Sequence, residues 1–138
     1  MRATCWTRPK RPVVAGLTTL MLAFGVASCG GDDANLSELG QLGKNAASSN
    51  GCASCHGANG QGGVGPAWTD LAGSQRELTD GTTVIADDEY LLRAILEPDA
   101  EEVVGYTIKM PTNGMSEADA ANVVQYIKEL STGPSDES

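Results

Sequence analysis

The sequence has little of three things that many functional sites require: histidine, aromatic side chains and, beyond its first 28 residues, positive charge. Its 138 residues include a single histidine, His56. A site built from several histidines is therefore excluded within the chain, and a Ser-His triad would have to use this one residue. Beyond residue 28 the aromatic residues are Trp68 and three tyrosines, so the domain has few bulky side chains with which to build a core.

The charges divide sharply along the chain. The first 28 residues contain four basic residues and no acidic ones, whereas the rest has five basic and 18 acidic residues, a net charge of −13. Such a surface argues against binding to nucleic acid or adhesion to anionic lipid through charge. It favours a partner with a basic docking patch, although acidity also keeps an exported protein soluble.

The N-terminal segment is typical of a bacterial lipoprotein leader. A basic region precedes residues 13–27, which are small or apolar apart from two threonines and too few for a membrane span of ~20 residues. The sequence Val26-Ala27-Ser28-Cys29 resembles a lipobox, which implies that Cys29 carries lipid. We predict a signal peptide over 1–28 and a tether over 29–34, with the protein anchored outside the cytoplasm, on the periplasmic side or at the cell surface. The alternative is an ordinary secretory cleavage site with an incidental Cys29, which would leave an odd thiol.

A second cysteine motif lies in the chain at Cys52-Ala53-Ser54-Cys55-His56. Cys-x-x-Cys-His is the attachment pattern of c-type haem, in which both thiols bond the porphyrin and the histidine ligates the iron. A thioredoxin-like pair is the alternative, but it requires a helix after the motif. Residues 57–66 instead contain five glycines and a proline, which is a loop composition. A structural disulfide or half of a zinc ribbon is weaker still, because no second cysteine pair follows.

We therefore predict one covalent haem c, bound by Cys52 and Cys55. Bacterial haem attachment takes place outside the cytoplasmic membrane, which agrees with the predicted leader. The haem would also give a small core a large apolar surface to pack against.

The hydrophobic pattern predicts an all-α domain over residues 35–131 with a small hairpin insertion. A first helix is expected from Asn35 or Ser37 to about residue 48, its apolar residues being Leu36, Leu39, Leu42 and Ala46. Residues 76–78 and 82–85 predict a hairpin around an Asp-Gly turn. A second, largely buried helix is expected from Asp87 to residue 97, and a last one from Ser116. Residues 132–138 are predicted to be a flexible tail.

Four stretches of the sequence resemble one group of class I cytochromes c, the domain fused to the C-terminal side of some bacterial cytochrome oxidase subunit II chains. The similarity covers about residues 43–130. It lies in Asn50-Gly-Cys-Ala-Ser-Cys-His-Gly, Gly65-Pro66, Glu77-Leu-Thr-Asp-Gly-Thr-Thr-Val and Gly105-Tyr-Thr-Ile-Lys-Met-Pro. The resemblance implies a cytochrome c fold with three main helices around one haem.

The iron also needs a sixth ligand or an open position. On spacing alone, Met110 is only one candidate, since most methionines fill gaps in a core, and Lys109 is a neighbouring donor. The resemblance implies that Met110 is the axial ligand, and it leaves Met115 for the core or the start of the last helix. It also implies that the Pro66 carbonyl accepts the His56 ring N–H.

Three further residues are candidates for the surroundings of the haem. Trp68 and Tyr106 are expected at its edge or propionates, or else in the core. Arg76 would either pair with a propionate or lie on the surface.

The function that these features predict is a lipid-anchored, monomeric electron carrier and not an enzyme. Its partners would be a quinol-oxidising complex and a terminal oxidase or another reductase. Two alternatives remain open at this point. One is a haem subunit docked permanently in an oxidase or dehydrogenase complex. The other is a haem enzyme or gas sensor with an open axial position.

Overall fold

Four helices and one hairpin make up residues 35–132, the part of the chain that the computed structural model describes. The predicted leader, Cys29 and residues 133–138 of the predicted tail lie outside it. The elements are α1 (Glu38–Ser49), α2 (Ala53–His56), β1 (Gln75–Glu77), β2 (Thr83–Ile85), α3 (Asp88–Leu96) and α4 (Glu117–Ser131). The predicted all-α fold with three main helices and a hairpin is confirmed, and α2 is an additional single turn. Within residues 35–132 no helix is long and apolar enough to cross a membrane.

The three main helices begin where their capping residues place them. Ser37, Asp87 and Ser116 each accept a hydrogen bond from a backbone N–H in the first turn of the following helix. These side chains satisfy donors that have no partner within the helix. The predicted starts of all three helices are therefore confirmed.

Helices α1 and α4 form the closest helix pair of the fold. The buried residues of α1 are all small, namely Gly40, Gly43 and Ala47. A β-carbon at Gly43 would overlap the backbone carbonyl of Asn122 in α4 and approach Cβ of Tyr126 to 2.9 Å. Only glycine allows the two backbones to come this close.

The apolar residues at helical spacing in α1 are only partly buried. Leu36 and Ala46 pack against the core, whereas Leu39 and Leu42 are 54% and 48% exposed. The contact with α4 depends on small residues instead.

The second helix is largely buried through its apolar residues, as expected. In α3 the side chains of Tyr90, Leu91 and Ile95 are buried. Its other apolar residues are partly buried and pack against the core, namely Leu92, Ala94 and Leu96.

The hairpin also holds a loop that is distant in the sequence. Strands β1 and β2 pair antiparallel, with Arg76 opposite Val84. Beyond β1, Leu78 forms a bridge with Val103, and two backbone N–H groups, those of Thr79 and Val104, donate across the same junction at 2.8 and 2.9 Å. The loop between α3 and α4, residues 98–115, is therefore attached to the hairpin by main-chain hydrogen bonds.

Candidate functional site

The attachment motif forms a single helical turn directly after α1. The N–H of Cys52 donates to the Ala47 carbonyl at 3.0 Å, and the N–H of His56 donates to the Cys52 carbonyl at 3.0 Å. Both thiols are free and half-exposed, and both line one cleft together with His56. Burial raises the pKa of the Cys52 thiol, and the neighbouring Cys55 raises it further, so Cys52 is held as a neutral thiol at neutral pH.

The imidazole of His56 is held in one orientation and one tautomer. Its ring is 8% exposed, and Nδ1 lies 2.8 Å from the carbonyl oxygen of Pro66. A carbonyl can only accept, so Nδ1 carries the proton and Nε2 keeps its lone pair. Burial lowers the pKa of His56, although the contact with Pro66 acts in the opposite direction. The ring is therefore a neutral imidazole with a nitrogen available as a ligand, and the Pro66 contact is the one that the resemblance implies.

Two further residues pack against the imidazole ring. Trp68 stacks on His56 with ring centroids 4.8 Å apart and an interplanar angle of 23°. Trp68 also packs edge to face against Tyr126 of α4, with the two ring centroids 5.9 Å apart. On another side, a β-carbon at Gly65 would lie 3.0 Å from Cε1 of His56. The stacking of Trp68 had no signal in the sequence, because Trp68 and His56 meet only through the turns of the intervening loop.

The cleft that contains the motif is bounded by α2, α3, α4 and the 98–115 loop, and its lining is mostly apolar. Side chains that form its walls include Leu71, Leu91, Ile95, Val103, Val123 and Ile127. Met110 is half-buried and lines this cleft. Met115 is 9% exposed, belongs to the core and does not line it. Of the two methionines in the described residues, only Met110 therefore shares the cleft with His56.

Charged side chains at the cleft are paired with one another. Glu101 forms an ion pair with Arg93 at 3.0 Å, and Glu102 forms one with Lys109. Lys109, the rival donor for an iron, is thus engaged by a carboxylate and is 66% exposed. Arg76 is half-buried on β1 and does not line the cleft, whereas Trp68 and Tyr106 both do.

Asn113 fixes the end of the methionine-bearing loop. Its side-chain N–H donates to the Ile95 carbonyl at 2.8 Å, at the end of α3, and its side-chain oxygen accepts from the Met115 N–H at 2.9 Å. Together with the hairpin junction, this amide holds the loop at both of its ends. Met110 lies between these two attachments.

Replacing Asn113 with alanine is expected to lower the free energy of unfolding by about 1–3 kcal/mol, because two half-buried backbone groups lose their partner. Asn113→Asp keeps the acceptor for the Met115 N–H but places a carboxylate oxygen against the Ile95 carbonyl at the end of α3, so a loss at least as large is expected. Chemical denaturation followed by circular dichroism measures both. Equal stability of the alanine variant and the unchanged protein would show that these hydrogen bonds do not hold the loop.

The donors in the cleft fit a covalently bound haem. They comprise two thiols one helical turn apart, a neutral imidazole with a free Nε2, and a thioether in the same apolar cleft. Proteins hold this cofactor through two cysteine thiols that bond the porphyrin and through histidine and methionine as ligands of the iron. Among residues 35–132 no cluster of three or more histidine, cysteine, aspartate or glutamate residues could hold a free metal ion instead.

Comparison with known proteins agrees with this donor set. No curated protein matches the chain. The model of the family described as Cytochrome c matches residues 40–131, which is well over half of the sequence. The match extends from the first turn of α1 to the end of α4 and includes the attachment motif and Met110. The chain belongs to the cytochrome c family.

Proposed function

We propose that the protein is a monohaem one-electron carrier, anchored by lipid at Cys29 outside the cytoplasm. Haem c would be attached through Cys52 and Cys55, with His56 and Met110 as axial ligands. The observation that carries the proposal is the shared cleft: the only histidine of the chain and one of its two described methionines face the same apolar space. Membership of a haem-binding electron-transfer family supports the same function.

Each residue would have a distinct part in that function. The bound haem supplies an iron that alternates between Fe(III) and Fe(II). His56 offers Nε2 because Pro66 fixes the opposite nitrogen as a donor. Met110 offers a thioether, which raises the reduction potential relative to a second nitrogen ligand. Trp68 and Gly65 keep the imidazole from turning, so its geometry is the same in both oxidation states.

Three features favour a carrier over an enzyme or a gas sensor. Both axial positions are assigned to side chains of the chain itself, which leaves no position for a substrate. The carboxylates that line the cleft, Glu101 and Glu102, are each engaged by a cation. The only imidazole of the chain is already assigned to the iron, so none remains to act as a distal base.

The mouth of the cleft supports a docking role. Val64, Tyr106 and Ile108 line the cleft and are 50%, 38% and 58% exposed. A small apolar rim on a domain with a net charge of −13 beyond residue 28 suits a transient partner with an apolar centre and a basic surround. A quinol-oxidising complex would supply electrons to such a carrier, and a terminal oxidase or another reductase would accept them.

The proposal is tested by the intact mass and the visible spectrum of protein produced in a host that assembles c-type cytochromes. We expect a chain heavier than its polypeptide by one haem, with a low-spin spectrum in both oxidation states. The double variant Cys52→Ser/Cys55→Ser is the control and should lose the added mass. Bare polypeptide in the unchanged protein would overturn the proposal. A high-spin native form that binds carbon monoxide rapidly would instead indicate an enzyme or sensor.

A further inference from the structure

The exposed face of α1 has no role in the electron-carrier function proposed above. Leu39 and Leu42 lie three residues apart, on one side of the helix, and about half of each side chain is exposed. Helix α4 covers a different side of α1, through Gly40, Gly43 and Ala47. Leu36, just before the helix, is partly buried against the core. The first two turns of α1 therefore present two large apolar side chains that nothing in the described residues covers.

The same helix carries less net charge than the other two main helices. Within α1, Glu38 and Lys44 are the only charged residues and cancel each other. Helices α3 and α4 each carry more acidic than basic residues, in keeping with the acidic composition beyond residue 28. An anionic lipid surface would repel most of this domain and would repel α1 least.

The chain between the proposed anchor and this helix is short. Six residues lie between Cys29 and Leu36, and the seven Cα–Cα steps that join these two positions can span at most ~25 Å. Lipid at Cys29 would therefore keep the start of α1 close to the headgroups and hold the leucines at a high effective concentration near them. Two half-exposed leucines are too few to bind a membrane without an anchor. When the lipid at Cys29 already holds the chain at the membrane, the leucines need only make contact with the surface.

We propose that the Leu39–Leu42 face of α1 rests on the lipid surface that holds the anchor. This inference depends on the lipid anchoring in the proposed function and adds an orientation to it. A tether alone would let the domain rotate freely, whereas contact through α1 turns one side of the domain to the lipid. Docking and electron transfer would then take place with the domain in one orientation.

Thiol labelling tests the contact in the holoprotein itself. In the mature protein as proposed, Cys29 is lipidated and both motif cysteines are bonded to haem, so an introduced cysteine is the only free thiol. Leu42→Cys is placed on the proposed face. Ser48→Cys is the control on the opposite side of α1, where the serine hydroxyl bonds only the Lys44 carbonyl of its own helix. Each variant is reconstituted into phosphatidylcholine vesicles and treated with a hydrophilic maleimide. Each is compared with the same variant that also carries Cys29→Ser and is exported behind an ordinary cleavable leader, so that the introduced cysteine is again the only free thiol.

We expect vesicles to slow labelling at position 42 several-fold and to leave labelling at position 48 unchanged. Equal rates at position 42 with and without lipid, in protein that stays on washed vesicles, would overturn the contact while leaving the anchor intact. Equal slowing at both positions would overturn it as well, because shielding would then not be specific to one face. Protein that washes off the vesicles would refute the anchor and with it this inference. The visible spectrum of each variant confirms that the haem site has assembled.

Discussion

Replacing Met110 with alanine is expected to abolish the methionine–iron charge-transfer band of the oxidised protein completely and to lower the reduction potential. The band arises from a thioether bonded to Fe(III), and Met110 is the only methionine among residues 35–132 that lines the cleft with His56. Without it, the sixth position is left to water or to another donor, and the potential falls because the thioether no longer favours the reduced iron. The visible spectrum and a redox titration measure the two effects.

Met115→Leu is the matched control for this prediction. The side chain is 9% exposed and packs in the core, and leucine conserves its volume, so a cost below about 1.5 kcal/mol and an unchanged band are expected. A band that survives in Met110→Ala and disappears in Met115→Leu would show that the ligand assignment is wrong. Loss in both variants would indicate that the band reports the general integrity of the fold and not one ligand.

Gly43→Ala is expected to lower the free energy of unfolding by about 1–2 kcal/mol. The added methyl group would overlap the Asn122 carbonyl and crowd Cβ of Tyr126, so α1 and α4 would have to separate. Overpacking of a tight contact typically costs ~1–3 kcal/mol, which exceeds the ~0.5–1 kcal/mol that alanine gains over glycine inside a helix. Denaturation of the holoprotein followed by circular dichroism measures the change.

Gly40→Ala is the control on the same helix. A methyl group there would meet the carboxylate of Glu129 and no backbone atom. That side chain can move away at the expense of its exposed hydrogen bonds to Ser37. We therefore expect little or no loss of stability at Gly40. If both alanine variants lose stability to the same extent, the backbone contact at Gly43 is not what makes the crossing sensitive.

The helix starts and the hairpin were predictable because their causes are local. A capping side chain acts on N–H groups within three residues, as Asp87 does on Tyr90, and an Asp-Gly pair makes its own turn. The attachment motif is local for the same reason, since its two thiols must lie one turn apart. Each of these signals can be read without knowledge of what packs against the segment.

The buried face of α1 was not predictable in the same way. It depends on how closely α4 approaches, and that approach is made through glycines that contribute nothing to a hydrophobic pattern. Gly40 and Gly43 permit the close approach of another backbone, and the structure brings the backbone of Asn122 in α4 against Gly43. The leucines beside them show helical spacing and say nothing about that contact.

The residues of the candidate site differ in the same way, since some could be assigned from local sequence and others depend on tertiary packing. His56 and its partner Pro66 could be assigned from the motif and a resemblance. The preference for Met110 over Met115 came from the resemblance and not from spacing, because both residues lie near the start of the same helix in the sequence. The structure adds that only Met110 of the two lines the cleft. Trp68 stacks on His56 across the turns of the intervening loop and meets Tyr126 of α4 edge to face, and no spacing rule connects these residues.

The attachment of the 98–115 loop to the hairpin has a consequence for how the protein can diverge. Main-chain atoms make that junction, so it does not depend on which side chains the loop carries. The exposed positions of the loop, Tyr106 and Ile108 among them, can accept substitutions without releasing Met110. Descendants of this protein could therefore change the partner they recognise while their iron chemistry stays as it is.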